Sequence, residues 1–118
     1  MTEQNIQSMM AEEPSITAVV VLQGAQILYQ TPNWDVSADA NTIARAFQAQ
    51  GGGGSISIQE VKYMLLDVSQ DRLSATNLQG QGHIVGCPCA SGHVIAYVDP
   101  SGDNRGALMT LQKWSQYI

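Results

Sequence analysis

The sequence predicts an α+β sandwich: a five-stranded antiparallel sheet with helices on both faces. Three observations carry that prediction. Residues Glu60 to Pro100 read as strand, turn, strand, turn, strand without a helical interruption. Ahead of them, Ile16 to Thr31 reads as a hairpin, and apolar residues recur at helical spacing near both ends and in the middle of the chain.

The elements follow in order. Thr2 to Glu13 places Ile6, Met9, Met10 and Glu13 at helical spacing, with Pro14 just beyond as a stop. Ile16 to Leu22 is rich in β-branched residues and apolar on both faces, which predicts a strand covered on both sides. Gln23-Gly24 turns the chain into Ala25 to Thr31, with Ile27 and Leu28 directed to the core and Tyr29 as an amphipathic filler. Pro32-Asn33 breaks that strand. Ser37 then offers a hydroxyl cap, and Asp39 suits the positive end of a helix dipole, so a helix is expected to about Gln50. Its stripe is Ala40, Ile43, Ala44 and Phe47, with Asn41, Arg45 and Gln48 outward.

Gly51 to Gly54 ends that helix and acts as a flexible joint. A phosphate-cradling loop would need a Lys followed by Ser or Thr, between a strand and a helix, and neither condition is met. Ser55 to Ile58 alternates isoleucine with serine as a short edge strand. Val61 to Val68 is a dense strand, Gln70-Asp71 turns into Leu73 to Leu78, and Gln79 to Gly82 is a glycine-spaced connection. Ile84-Val85 continues toward a turn at Pro88 to Gly92, Val94 to Val98 returns, and Pro100 to Gly102 ends the sheet. Asp103 or Asn104 caps a last helix with the stripe Ala107, Leu108, Leu111, Trp114 and Ile118.

A length of 118 residues suits one domain, 1–118, with an N-terminal helix at 1–13 and a C-terminal helix at 103–118. Such a chain buries roughly two thirds of its unfolded surface. Five basic against ten acidic residues, net charge −5, disfavour a phosphate-tracking nucleic-acid surface. No basic-then-apolar leader opens the chain, and the longest apolar run, Ala18 to Leu22, is far too short to span a bilayer, so a cytoplasmic protein is expected. Cys87 and Cys89 flank Pro88 too closely for an unstrained bridge and are expected as reduced thiols.

The chain resembles the roadblock/LC7 family of small regulators, from about Pro14 to Ile118. The likeness lies in Val61-Lys62-Tyr63-Met64-Leu65-Leu66 followed by Asp71-Arg72-Leu73, in Gly80-Gln81-Gly82-His83-Ile84-Val85-Gly86, and in Val94-Ile95-Ala96-Tyr97-Val98 with Pro100. The four-glycine joint and the Cys-Pro-Cys turn depart from it. The resemblance implies a homodimer, or a pair with a paralogous roadblock chain, whose middle helices pack antiparallel and whose third strands pair edge to edge. It further implies a non-catalytic platform that binds and regulates a small Ras-like GTPase. The expected interface is Ala40, Ile43, Ala44, Arg45 and Phe47, the strand residues Ile56 and Ile58, and Trp34. Trp34 is read either as an exposed anchor or as a plug over the sheet.

Two alternatives come from the same residues. A profilin-like binder of actin monomers shares a sheet flanked by terminal helices, and on those helices Trp114 and Tyr117 are the candidates for a polyproline-binding aromatic cluster. A small-ligand or metal sensor rests on His83, Cys87, Cys89 and His93, spaced by four, two and four. Straddling a hairpin turn, these four are expected instead as turn-packing cysteines and surface histidines. An arginine-finger role for Arg45 gives way to a solvated helix-face arginine. Asp67, Asp71 and Asp99 show no acid–base pairing, so no catalytic residue, no cofactor and no enzyme activity are expected.

Overall fold

The computed structural model describes residues 2–47 and 54–118, which form seven short strands, three helices and one 3-10 turn. In chain order the elements are α1 (Thr2–Glu12), β1 (Ile16–Gln23), β2 (Gln26–Gln30), a 3-10 turn (Ser37–Asp39), α2 (Ala40–Ala46), β3 (Ser55–Ile58), β4 (Val61–Val68), β5 (Leu73–Thr76), β6 (His83–Cys89), β7 (Gly92–Val98) and α3 (Asn104–Ser115). The strands form one sheet of seven in the order β2-β1-β7-β6-β5-β4-β3, and every neighbouring pair is antiparallel. Among the described residues no helix is long and apolar enough to cross a membrane.

Strand parity assigns each side chain to a layer. On β1, Val19 and Val21 face α1 and α3, where they join Val85, Cys87, Val94, Ala96, Ala107 and Leu111, while Ala18, Val20 and Leu22 face α2 with Ile43, Phe47, Tyr63 and Ile95. Ile16 joins the first group despite its even number, because the register slips at Thr17. One extra residue in a strand is a β-bulge, and it reverses which face the next residues meet. The same slip skips Leu28 between the pairs Val21–Tyr29 and Leu22–Ile27, and Leu66 between Leu65–Ala75 and Asp67–Ser74. Both leucines are expelled from the core, 44% and 56% exposed. Leu28 is therefore a surface residue, contrary to its expected core position.

The helices divide unequally between the layers. α1 and α3 lie on one face and seal it with Ile6, Met9, Ala107 and Leu111. α3 starts where the Asp103 side chain accepts hydrogen bonds from the backbone N–H groups of Arg105 and Gly106, both at 3.2 Å. The two helices are clasped by Glu12, which accepts from Lys113 Nζ at 2.9 Å and from Trp114 Nε1 at 3.2 Å. These bonds, the Lys113 one foremost, hold the Glu12 carboxyl below its ordinary pKa. α2 and the 3-10 turn cover the other face.

Three sequence expectations are corrected here. The sheet has seven strands rather than five. Ser55–Ile58 and Val61–Val68 are separate strands joined by a two-residue turn in which Gln59 and Glu60 take φ of 51° and 67°. Both stretches read as strands but count as one in the five, since neither residue is the Gly, Asn or Asp that marks such a turn. β6 is likewise a full strand that runs through Pro88. Beyond Gly86 only β7 lies beside it, and at such a local edge a residue without an N–H is tolerated. The middle helix begins at Ala40 without a side-chain cap, since the Ser37 hydroxyl donates to Asp35 Oδ1 at 2.7 Å. Its expected end at Gln50 and the glycines 51–53 lie outside the described residues.

Leu111 is completely buried between α3 and the sheet. Leu111→Ala is expected to cost about 2–5 kcal/mol, read as a lower urea midpoint at unchanged slope.

Candidate partner-binding face

On the α1/α3 side, the helices stop short of the sheet's far half. α3 packs against β6 and β7, and α1 against β1 and α3. Among the described residues no helix covers β5, β4 and β3 on that side. Parity places Ser74 and Thr76 of β5, Lys62 and Met64 of β4, and Ser55 and Ser57 of β3 there, opposite the core-facing Leu73, Ala75, Tyr63, Leu65, Ile56 and Ile58. The bulge adds two more. It turns Leu66 and Asp67 out together, while Val68 returns to the core.

Where this bare half meets α3 the surface forms a trough of 690 Å³, lined among others by Leu66, Arg72, Ser74, Arg105 and Leu108. Arg105, Leu108 and the 64% exposed Met109 share one face of α3 at i, i+3, i+4 spacing. The Arg72 guanidinium is held by Asp67 at 2.6 Å and Asp71 at 3.5 Å. The Asp67 hydrogen bond raises its pKa above the ordinary value. Lys62 and Arg105 make no ion pair among the described residues. Three of the five cationic side chains of the chain thus stand on this face, beside the carboxylates of Asp67, Asp71, Asp103 and Glu60. At its inner margin Asn104 donates long bonds to Ser74 Oγ and the Ala75 carbonyl, 3.5 and 3.4 Å.

The residues nominated as an interface lie elsewhere. Ala40, Ile43, Phe47, Ile56 and Ile58 are buried in the core beneath α2, with Ala44 half-buried and Arg45 exposed. Trp34 is a plug: at 5% exposure it packs 6.3 Å from the Tyr97 ring beside a 270 Å³ cleft. In the same cleft Tyr63 is buried enough for its phenol pKa to be pushed up to about 12, with Tyr97 adding to the effect. Trp114 and Tyr117 form a T-shaped pair at 6.0 Å beside α1, and the Tyr117 backbone carbonyl accepts from Asn5.

The His and Cys residues are not brought together. Cys87 and Cys89 project toward the terminal helices, where burial pushes the Cys87 thiol up to about 11. His83 shares that side, but its Nδ1 is 2.7 Å from Thr76 Oγ1. His93 points to the opposite side, stacked on Phe47 with centroids 4.3 Å apart. The sheet itself separates His93 from the thiols, so the four cannot share one ion.

Sequence reasoning missed Leu66, Leu108, Arg105 and Met109. The one available signal was the spacing of the core positions Tyr63, Leu65 and Val68, whose change from two to three marks a bulge.

Comparison with known proteins places this architecture. No family model matches the chain. Odin profilin of Odinarchaeota yellowstonii is 43% identical over 104 residues, covering 86% of this chain and 82% of the relative. The chain belongs to the profilin family. Loki profilin-2 of Lokiarchaeum sp. is 32% identical over 91% of this chain and 86% of its own. A chain of the LokiProfilin2/rabbit actin complex matches with a TM-score of 0.87 at 33% identity, over 98% of this chain and 93% of that one. Acanthamoeba castellanii profilin IA, 13% identical with a TM-score of 0.79 over 99% and 95% of the two chains, shares the fold.

Membership overturns the roadblock/LC7 resemblance and, with it, the homodimer or paralogous pair and the Ras-like GTPase partner. The stretches that carried the resemblance are strands and tight connections of the kind any antiparallel meander needs. The structure supplies a physical reason as well: the apolar side chains meant for a second subunit are consumed by this profilin's own core.

The His93 stack gives a pH prediction. Burial lowers the His93 pKa below its ordinary 6.5, and among the described residues no charged group lines the hollow formed by Leu22, Ala44, Phe47 and Gln70 around it. Below pH 6.5 the unfolded chain therefore takes up this proton more readily than the folded one. The stability it confers is complete above that pH and is lost as pH falls through the lower folded value. Melting temperature is expected to drop between about pH 7.5 and about pH 5.5 more steeply for the natural protein than for His93→Gln. Phe47→Asp buries a carboxylate beneath α2 and is expected to lower the melting temperature sharply.

Proposed function

We propose that this profilin binds monomeric actin through the bare β3–β4–β5 half of its sheet together with the first turns of α3. The single observation that carries the reading is the exposed face itself, with Leu66 expelled onto it at 56% exposure by a bulge. An apolar centre with a polar rim is the usual anatomy of a protein–protein interface, and a few central anchors carry most of its energy. Leu66, Met64 and Leu108 supply the centre here, and Lys62, Arg72 and Arg105 the rim.

The profilin of the LokiProfilin2/rabbit actin complex, with the same fold and 33% identity, supports actin as the partner. The rim carries both signs, with Asp67, Asp103 and Glu60 beside Lys62, Arg72 and Arg105, so local charge complementarity rather than net charge would set the register of the complex. Binding is the whole activity. No chemical step is assigned to any residue of the chain.

Isothermal calorimetry with monomeric rabbit actin tests the reading. Leu66→Asp is expected to weaken binding at least about tenfold while leaving the melting temperature nearly unchanged, since Leu66 contributes little to the core. Equal affinity of this variant and the natural protein, or no binding by the natural protein, would overturn the proposal.

A further inference from the structure

The segment from Asn77 to Gly82, joining β5 to β6, is built around one side chain. Asn77 Oδ1 accepts from the backbone N–H groups of Gln79 and Gln81 at 2.8 and 3.0 Å, and Nδ2 donates to the Lys62 carbonyl at 2.8 Å. Its own N–H donates to the Gly82 carbonyl at 3.0 Å, and its carbonyl accepts from Gly80 at 3.3 Å. Tyr97 fixes the far side by donating its hydroxyl hydrogen to the Gln81 carbonyl at 2.7 Å. Its ring lies so close to Gly82, at φ 114°, that a Cβ there would approach within 2.5 Å. Loop tips are ordinarily polar and mobile. This one is pinned at every turn.

At its tip stands Leu78, 77% exposed, the most exposed large apolar side chain described. It belongs to neither core cluster, while the bonds around Asn77 fix the backbone that carries it. The tip adjoins a hollow of 290 Å³ lined by Lys62, Met64, Asn77 and Gln79 on the same bare half of the sheet. Met64 lies two residues from Leu66 along β4. A line of apolar groups therefore runs Leu78, Met64, Leu66, Leu108, from the loop across the open face to α3.

From this continuity we infer that Leu78 is a second, preorganised anchor for the same actin monomer, and that Asn77 is the residue that positions it. The inference rests on the actin reading above. An anchor already fixed in its bound position avoids the ordering cost of binding, so its loss appears mainly as faster dissociation.

Kinetics of binding to monomeric rabbit actin decide it. Leu78→Ser is expected to raise the dissociation rate about tenfold with the melting temperature unchanged. Leu28→Ser, on the opposite edge of the sheet, is expected to change nothing. Asn77→Ala is expected to weaken binding when Leu78 is present and to add little in the Leu78→Ser background, because a positioning residue is silent once its anchor is gone. If Leu78→Ser binds like the natural protein while Leu66→Asp does not, the second anchor is refuted and the actin reading stands. If the natural protein fails to bind, the actin reading falls and the anchor with it.

Discussion

Two helices cannot cover seven strands. Strands in a sheet lie about 4.8 Å apart and a helix with its side chains is about 10 Å across. A seven-stranded sheet is therefore roughly 29 Å wide, while α1 and α3 side by side cover roughly 20 Å, about four strands. They settle over β1, β7 and β6, with Tyr29 of β2 packed at the margin, where valines and alanines offer a smooth apolar bed. The other three strands are left open on that side, and the composition of the chain follows from this. Where helices cover them, strands are apolar on both faces. Where none does, β3 and β5 turn serine and threonine outward.

Within the open half, the β4 bulge serves fold and surface together. Without it, strict alternation after Leu65 would bring Asp67 into the core and turn Val68 to solvent. The extra residue restores Val68 to the interior beside Leu73 and presents Leu66 and Asp67 outward. An exposed leucine beside an aspartate that grips Arg72 is thus a direct consequence of keeping the core intact. A face made this way is rigid, since it belongs to a paired strand, and preorganisation of that kind favours binding.

Much of the scaffold was legible in the sequence. The terminal helices, the first hairpin and β4, β5 and β7 follow from spacing and turn residues, and Asp103 caps α3 as its chemistry suggests. The hidden parts have specific causes. Gln59-Glu60 makes a tight turn without turn residues, so two strands that are each legible count as one, and Pro88 disguises a strand that runs through it. The candidate site was harder to see. Phe47, Ile56 and Ile58 attracted attention because apolar residues on a short helix and an edge strand look available to a partner, and sequence cannot reveal that they meet their own sheet. Leu66 escaped notice for the opposite reason. In the run Tyr63-Met64-Leu65-Leu66 it looks like core, and only the register identifies it as the residue left over.

The most direct test of the account is a map of which methyl groups sense the partner. Titrating the methyl-labelled protein with monomeric actin and following its NMR spectrum is expected to perturb Met64, Leu66 and Leu108 first, leaving Leu28 and the α1–α3 seam around Met10 unmoved. Perturbations confined to that seam, or to the α2 side of the sheet, would contradict it.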